Sequence, residues 1–149
     1  MPAVLALSRI RLIDHRRGAL RLQLRPGWLG RLRLLFDEHS FWADDRTPPQ
    51  LRRMLLGSSA AISAWDGDRL VGFGRATSDG VFRAVLWDVV VARSHQGQGL
   101  GRRIVERLLL CRSIRGAERV YVMTTNSSGF YERLGFSESP TQKLMVRWR

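Results

Sequence analysis

The sequence predicts a single α+β domain, residues 1–149, built on a mixed and mostly antiparallel sheet, and three observations lead to that fold class. Strand patterns between residues 59 and 91 are separated by the tight turns Asp66-Gly67-Asp68 and Asp79-Gly80, as in an antiparallel meander. The helical pattern of residues 100–115 lies between two strand patterns, which implies a parallel pair with a right-handed crossover. The chain has 149 residues, of which 44% are hydrophobic, enough for one domain with a core.

Alternation of apolar and polar residues predicts the strands. Ile10 to Ile13 and Leu20 to Leu24 alternate in this way around Arg16-Arg17-Gly18, which predicts a hairpin. A last hairpin is predicted from Phe136 onward, with Gln142 to Trp148 as its second strand. The other predicted strands are Ser59 to Trp65, Arg69 to Ala76, Phe82 to Val91 and Arg119 to Thr125.

Apolar residues at helical spacing, together with signals at the helix ends, predict the helices. Thr47 is the expected N-cap of a helix with Pro48 at its first position, and Gly57 ends that helix. Ser127 or Ser128 is expected to cap a short helix that runs through Leu134. The other two predicted helices are Trp28 to His39 and Leu100 to Arg115.

The charge balance is strongly basic, with 25 basic and 13 acidic residues and a net charge of +12. The arginines are spread along the chain, which favours solvated faces over a nucleic-acid site, although an anionic ligand remains open beside the glycines of residues 97–101. No apolar run reaches the length of a membrane helix, and no signal peptide is recognised, so a cytoplasmic protein is expected. The single cysteine, Cys111, lies on the helical pattern and is expected to be a core thiol.

Residues 85–103 read VLWDVVVARSHQGQGLGRR, a buried strand followed by a glycine-rich turn and a helix. The first turn of a helix has unpaired N–H groups and a positive dipole end, and glycine lets an anion approach those groups. Gly97, Gly99 and Gly101 therefore predict a pyrophosphate site. The spacing fits neither the dinucleotide-binding fingerprint nor a P-loop, and the alternative is a turn whose glycines serve helix packing.

Asp88 lies inside an apolar strand pattern, where an unpaired carboxylate would cost several kcal/mol. The hypothesis is that its pKa is raised and that it acts as a general base in a cleft. The alternative is a structural aspartate bonded to backbone or to an arginine. By strand alternation its neighbour Trp87 is expected in the core, unless the strand bulges. The histidines have no metal-ligand spacing, so no metal is predicted.

Two motifs carry a resemblance to a known family. Gln96 to Gly101 is similar to the Gln/Arg-x-x-Gly-x-Gly/Ala signature of the GNAT superfamily of acyl-CoA-dependent N-acetyltransferases. Asn126 and the run GFYERLGF, residues 129–136, resemble the second signature of that superfamily. The resemblance covers Ser59 to the C-terminus and is stronger still to the cyanobacterial and plastid branch, whose plant members acetylate aromatic amines such as serotonin and also protein amines.

The resemblance implies a sheet of six to seven strands with about four helices, splayed between the strands of Asp88 and Tyr121 to admit acetyl-CoA. Asp88 would take part in catalysis, and Tyr131 would protonate the departing CoA thiolate. The backbone of Val89 to Val91 would bind the pantetheine arm as an added strand. The residues implied in cofactor binding are Val89, Val90, Val91, Gln96, Gly97, Gln98, Gly99, Leu100, Gly101, Arg102, Asn126 and Phe130.

The function implied is direct transfer of an acetyl group from acetyl-CoA to a primary amine, either a small aryl-alkylamine or a protein amine. Plant relatives carry an acidic residue where this chain has Thr124 and Thr125, so the acceptor remains open. The rival hypothesis is a non-catalytic basic module that holds an acyl-CoA or RNA. Arg-rich strands at the C-terminus could pair across a homodimer, and no membrane partner is expected.

Overall fold

The computed structural model describes residues 9–16 and 27–149, and its centre is one sheet with the strand order β1-β2-β3-β4-β5. The first four strands pair antiparallel, and β4 pairs parallel to β5. This confirms the predicted mixed α+β sheet and its parallel pair. The strands are β1 (Ile10–Arg16), β2 (Ala60–Asp66), β3 (Arg69–Ser78), β4 (Arg83–Val91) and β5 (Arg119–Val122).

The described residues form five strands, fewer than the six to seven expected. The predicted strand Leu20 to Leu24 lies outside the described residues. The predicted C-terminal hairpin is wrong, because residues 136–149 contain no strand. Leu144, Val146 and Trp148 do lie at alternate positions there, but they are 61–89% exposed. Their apolar side chains therefore gain no burial that would stabilise a strand.

The described residues also form five α-helices, where about four were expected. The first helix has the predicted bounds, and the second begins at the predicted cap: Thr47 and Gln50 bond each other's backbone N–H in a capping box. The helices are α1 (Trp28–His39), α2 (Pro48–Leu56), α3 (Leu100–Leu110), α4 (Arg112–Arg115) and α5 (Ser128–Glu132).

The long helix predicted over residues 100–115 is interrupted at Cys111, whose ψ of 138° ends α3 and starts α4. Cys111 at the break and Ile114 in α4 both lie in the core, where they are 5% and 1% exposed. The expected core position of Cys111 is confirmed.

The sheet carries α1 on one face and α3 on the other. Phe73 of β3 packs edge-on against Trp28 and Phe36 of α1. On the opposite face a Cβ at Gly72 would lie 2.8 Å from Cδ1 of Ile104, so the glycine allows α3 to pack directly on β3. This close approach brings the start of α3 beside the end of β4.

Two irregularities in β4 open the sheet. Phe73 pairs with Val90 and Arg75 with Trp87, so Asp88 and Val89 together face one residue of β3 in a β-bulge. Pairing with β5 ends at Leu86, although β4 continues to Val91. The strands therefore splay beyond Leu86, as predicted, and leave a cleft between the second half of β4 and α5. No helix in the described ranges is long and apolar enough to cross a membrane.

Candidate active site

A large cavity of about 700 Å³ occupies the splay and extends to the start of α3; we call it the large cavity. It brings together the strand end, the glycine turn and α5, which are separate in sequence. Of the residues expected to bind the cofactor, only Gln98 is outside its lining. Those that line it are Val89, Val90, Val91, Gln96, Gly97, Gly99, Leu100, Gly101, Arg102, Asn126 and Phe130.

The glycine turn leaves the N-terminus of α3 open. Gly99 is the N-cap residue, with φ of +82°, and no side chain of the described residues caps the helix. The first turn holds no acidic residue, so nothing there repels an anion. Gln96 donates from Nε2 to the Val91 carbonyl at 2.9 Å and so ties the turn to β4. These features together suit a phosphate group.

Gly101 permits a close contact across the large cavity. A Cβ at this position would lie 3.3 Å from Cζ of Phe130 on α5. A side chain at position 101 in α3 would require Phe130 to move by a few tenths of an ångström, which favours glycine there for a reason independent of charge.

Tyr131 lies at the junction of the large cavity with a second cavity of about 340 Å³, which we call the small cavity. Its ring is only 8% exposed and packs edge-on against Phe130 and Phe136. Burial raises the pKa of Tyr131 to about 12. The phenol is therefore neutral at physiological pH and keeps a proton to donate.

The small cavity has a largely aromatic and aliphatic lining. Phe41 and Trp42, which precede α2, line both cavities and are 63% and 48% exposed. Sequence reasoning assigned no role to this pair, and the one signal was two adjacent aromatic residues between helices. Trp87 also lines the small cavity, because β4 bulges at the next residue, so the core position expected for it is wrong. Its Nε1 donates to Oγ1 of Thr77 at 2.9 Å.

Asp88 lines the small cavity, but its carboxylate is held by two guanidinium groups. Arg46 binds it through both terminal nitrogens, Nη1 to Oδ2 at 2.9 Å and Nη2 to Oδ1 at 3.1 Å. Arg75 of β3 adds Nε to Oδ2 at 2.8 Å. Neither arginine was singled out from the sequence.

The expected rise in the pKa of Asp88 is wrong. Burial is the largest single influence and acts upward, but the hydrogen bonds and charges of Arg46 and Arg75 together outweigh it, and the pKa is lowered. The observed arrangement is the alternative, an aspartate bonded to arginine. The role of general base remains a prediction for this residue.

Two histidines at the edge of the large cavity, His39 and His95, are engaged by neighbouring groups. His39 accepts a hydrogen bond from the backbone N–H of Arg93 at 3.3 Å. His95 lies 3.0 Å from a carboxylate oxygen of Asp66, through Nε2. In the ranges that the structure describes, no group of three or more His, Cys, Asp or Glu side chains could hold a metal ion.

Comparison with known proteins gives consistent results. A profile of the Acetyltransferase (GNAT) family matches residues 28–136. Serotonin N-acetyltransferase 2, chloroplastic, of Oryza sativa subsp. japonica is 43% identical over 103 residues, which are 64% of this chain and 50% of that protein. Histone acetyltransferase TAP1 of Glycine max is 40% identical over 73 residues, 48% of this chain and 32% of that protein.

A solved structure of the GNAT family from Xanthomonas campestris pv. campestris superposes with a TM-score of 0.74 at 25% identity. It covers 94% of this chain, and 93% of that chain is matched. The present chain spans half or less of the length of the two plant relatives. The family profile covers both the splayed half of β4 and the glycine turn.

Proposed function

This chain belongs to the Acetyltransferase (GNAT) family, and on that premise we propose that it transfers an acetyl group from acetyl-CoA directly to a primary amine. The observation that carries the proposal is the open N-terminus of α3. It meets the large cavity beside the half of β4 that no longer pairs with β5. A cofactor with a diphosphate and an amide-bearing arm needs both features: N–H groups for the phosphates and a strand edge for the arm.

The residues present fit this cofactor. The diphosphate would lie on the N–H groups from Gly97 to Arg102, and the arm along Val89 to Val91. Gly101 adds no side chain to this part of the cavity, where a Cβ would meet Phe130. Asn126 lines the large cavity near the junction, where the amide arm would end.

The chemistry requires one bond to form and one to break. The neutral amine nitrogen attacks the thioester carbon, and the C–S bond then breaks. Tyr131 is proposed to deliver its hydroxyl proton to the leaving sulfur, and burial keeps that proton in place at neutral pH. The amine must lose a proton, for which the two candidates are Asp88 and solvent in the open cleft.

The acceptor is proposed to bind in the small cavity. Phe41, Trp42 and Trp87 supply aromatic faces there, which favours an aryl-alkylamine such as the serotonin in the name of the rice relative. A protein amine is the alternative, in keeping with the name of the soybean relative. A homodimer and a cytoplasmic location stay predictions for this chain.

The test is calorimetry with acetyl-CoA, followed by a thiol-release assay with a panel of amines. We expect acetyl-CoA to bind and thiol release to depend on an amine, fastest with an aromatic one. Serotonin, a lysine-containing histone peptide and spermidine represent the three acceptor classes. The non-catalytic module would instead be supported if the chain bound a mixed RNA tightly, with a steep salt dependence, and did not bind acetyl-CoA.

A further inference from the structure

The carboxylate of Asp88 joins three parts of the molecule that are distant in sequence. It lies on the bulge of β4, and its side chain is 5% exposed. Arg75 reaches it from β3, and Arg46 reaches it from residues 40–47, which connect α1 to α2. We call residues 40–47 the aromatic segment, because they include Phe41 and Trp42.

Arg46 is itself fixed on several sides. Its guanidinium stacks over the ring of Phe36 in α1, with 5.4 Å from Cζ to the ring centroid. Its Nη1 also lies 3.4 Å from the sulfur of Met54 in α2. A guanidinium held by two helices and a bidentate carboxylate has little freedom, so it determines how the aromatic segment lies on β4.

The arrangement leaves Asp88 poorly suited to accept a proton. Oδ1 accepts from one arginine nitrogen, and Oδ2 accepts from two. A proton on either oxygen would disrupt bonds between a buried carboxylate and two cations. Asp88 also has a φ of +54°, a conformation that costs a non-glycine residue energy and persists only where the surroundings enforce it.

We propose that Asp88 is a positioning residue, which holds the aromatic segment through Arg46 so that Phe41 and Trp42 form the acceptor wall of the small cavity. The mode of acceptor binding rests on the proposed function, whereas the attachment of the segment does not. Asp88 thereby sets acceptor affinity, and the amine's proton leaves to solvent. In addition, one carboxylate faces two guanidinium groups, so Asp88 offers no spare negative charge to a cationic acceptor.

The first test measures the attachment without any activity. Hydrogen exchange followed by mass spectrometry compares the wild-type chain with Arg46→Ala, Arg46→Lys and Asp88→Asn. We expect the amide of Asp45, which donates to Oδ1 of Asp37 in α1 at 2.9 Å, to exchange roughly tenfold faster in Arg46→Ala and Asp88→Asn, with β2 and β3 unchanged. Arg46→Lys keeps the charge but loses the bidentate geometry, so an intermediate effect is expected.

Arg107→Ala is the matched control, because Arg107 makes a 2.9 Å ion pair with Asp14 away from both cavities. It should leave exchange in the aromatic segment unchanged. If the amide of Asp45 exchanges at the wild-type rate in both Arg46→Ala and Asp88→Asn, the proposal is overturned, whatever the activity of the enzyme.

The second test is kinetic and uses serotonin, or the best amine of the panel. Arg46→Ala should raise the KM for the amine about tenfold, equivalent to about 1.4 kcal/mol, and should raise the KM for acetyl-CoA by less, because Phe41 and Trp42 form only a part of the large cavity. The acidic limb of the pH–rate profile should stay in place in Asp88→Asn. A lost acidic limb, together with a wild-type amine KM in Arg46→Ala, would make Asp88 the base and not a positioning residue.

Discussion

The two cavities are built in different ways. Most of the large cavity comes from a stretch that is nearly continuous in sequence, Val89 to Arg102, together with α5, and Phe41 and Trp42 also line it. On the wall of the small cavity, Asp88 is held by Arg46 from a connecting segment and by Arg75 from a strand. A strand end and a glycine turn form much of the large cavity, whereas mainly aromatic and aliphatic side chains from separate parts of the chain line the small one.

This difference explains why a sequence motif indicates the large cavity but not the small one. A diphosphate is the same in every reaction of such an enzyme, and backbone groups recognise it, so a fixed local pattern of glycines suffices. An acceptor is recognised by side chains that fold together from distant positions, and no local pattern records them. Changes in the two cavities should therefore separate cofactor binding from acceptor binding.

The largest effect is expected from a charge placed in the glycine turn. Gly101→Asp adds a carboxylate at the N-terminus of α3, and its Cβ would already be 3.3 Å from Phe130. We expect binding of acetyl-CoA to be lost in calorimetry, because the carboxylate occupies and repels the phosphate site. Gly30→Asp in α1 is the control, since a Cβ there meets nothing within 4 Å. Wild-type affinity in Gly101→Asp would refute the phosphate assignment.

A second large effect is expected at the junction of the cavities. Tyr131→Phe removes the proposed proton donor, so kcat should fall about 10²–10⁴-fold while the KM for acetyl-CoA changes little. The chain's other tyrosine supplies the control, because Tyr121 is on β5 and lines neither cavity. Tyr121→Phe should keep its activity. Full activity in Tyr131→Phe would reduce Tyr131 to a packing residue.

The ion pairs of Asp88 should contribute measurably to the free energy of unfolding. Asp88→Asn leaves two guanidinium groups facing each other without a carboxylate, and the free energy of unfolding at pH 7 should fall by about 3 kcal/mol. In the folded chain the pKa of Asp88 is below the ordinary 3.8. The stabilisation by its ionised carboxylate is therefore fully present above pH 3.8, and it is lost as the pH falls through the folded pKa.

Urea unfolding at pH 7 and at successively lower pH measures this contribution. The gap between wild type and Asp88→Asn should be widest at pH 7 and should narrow below about pH 4. Asp14→Asn, which breaks the more exposed pair with Arg107, is the comparison and should cost less, about 1 kcal/mol or below. A gap that widens in acid would contradict the lowered pKa.

The smallest effect is expected from one aromatic residue of the small cavity. Trp42→Ala removes a ring that is 48% exposed, so the KM for an aromatic amine should rise about tenfold or less, a loss of about 1.4 kcal/mol. Trp148→Ala removes a tryptophan that is 89% exposed outside both cavities and should change nothing. Equal effects of the two changes would remove Trp42 from the acceptor wall.

Local regularities were sufficient for most elements of the fold. The bounds of α1 and the Thr47 cap of α2 follow from apolar spacing and end signals, because helix formation depends on neighbours three and four residues apart. Alternation failed at residues 142–148, where a strand-like pattern lies exposed. A strand needs a partner and a face to cover, and neither is encoded in its own seven residues.

The sequence by itself determined the glycine turn, the strand before it and the start of the helix after it, because glycine spacing and apolar periodicity are local features of the chain. Tertiary structure alone decided the state of Asp88. The sequence shows a carboxylate among apolar residues and leaves its partner open, whereas the folded chain brings Arg46 from 42 residues away and Arg75 from 13. The direction of its pKa depends on the balance between burial and those two cations, and that balance exists only after the chain has folded.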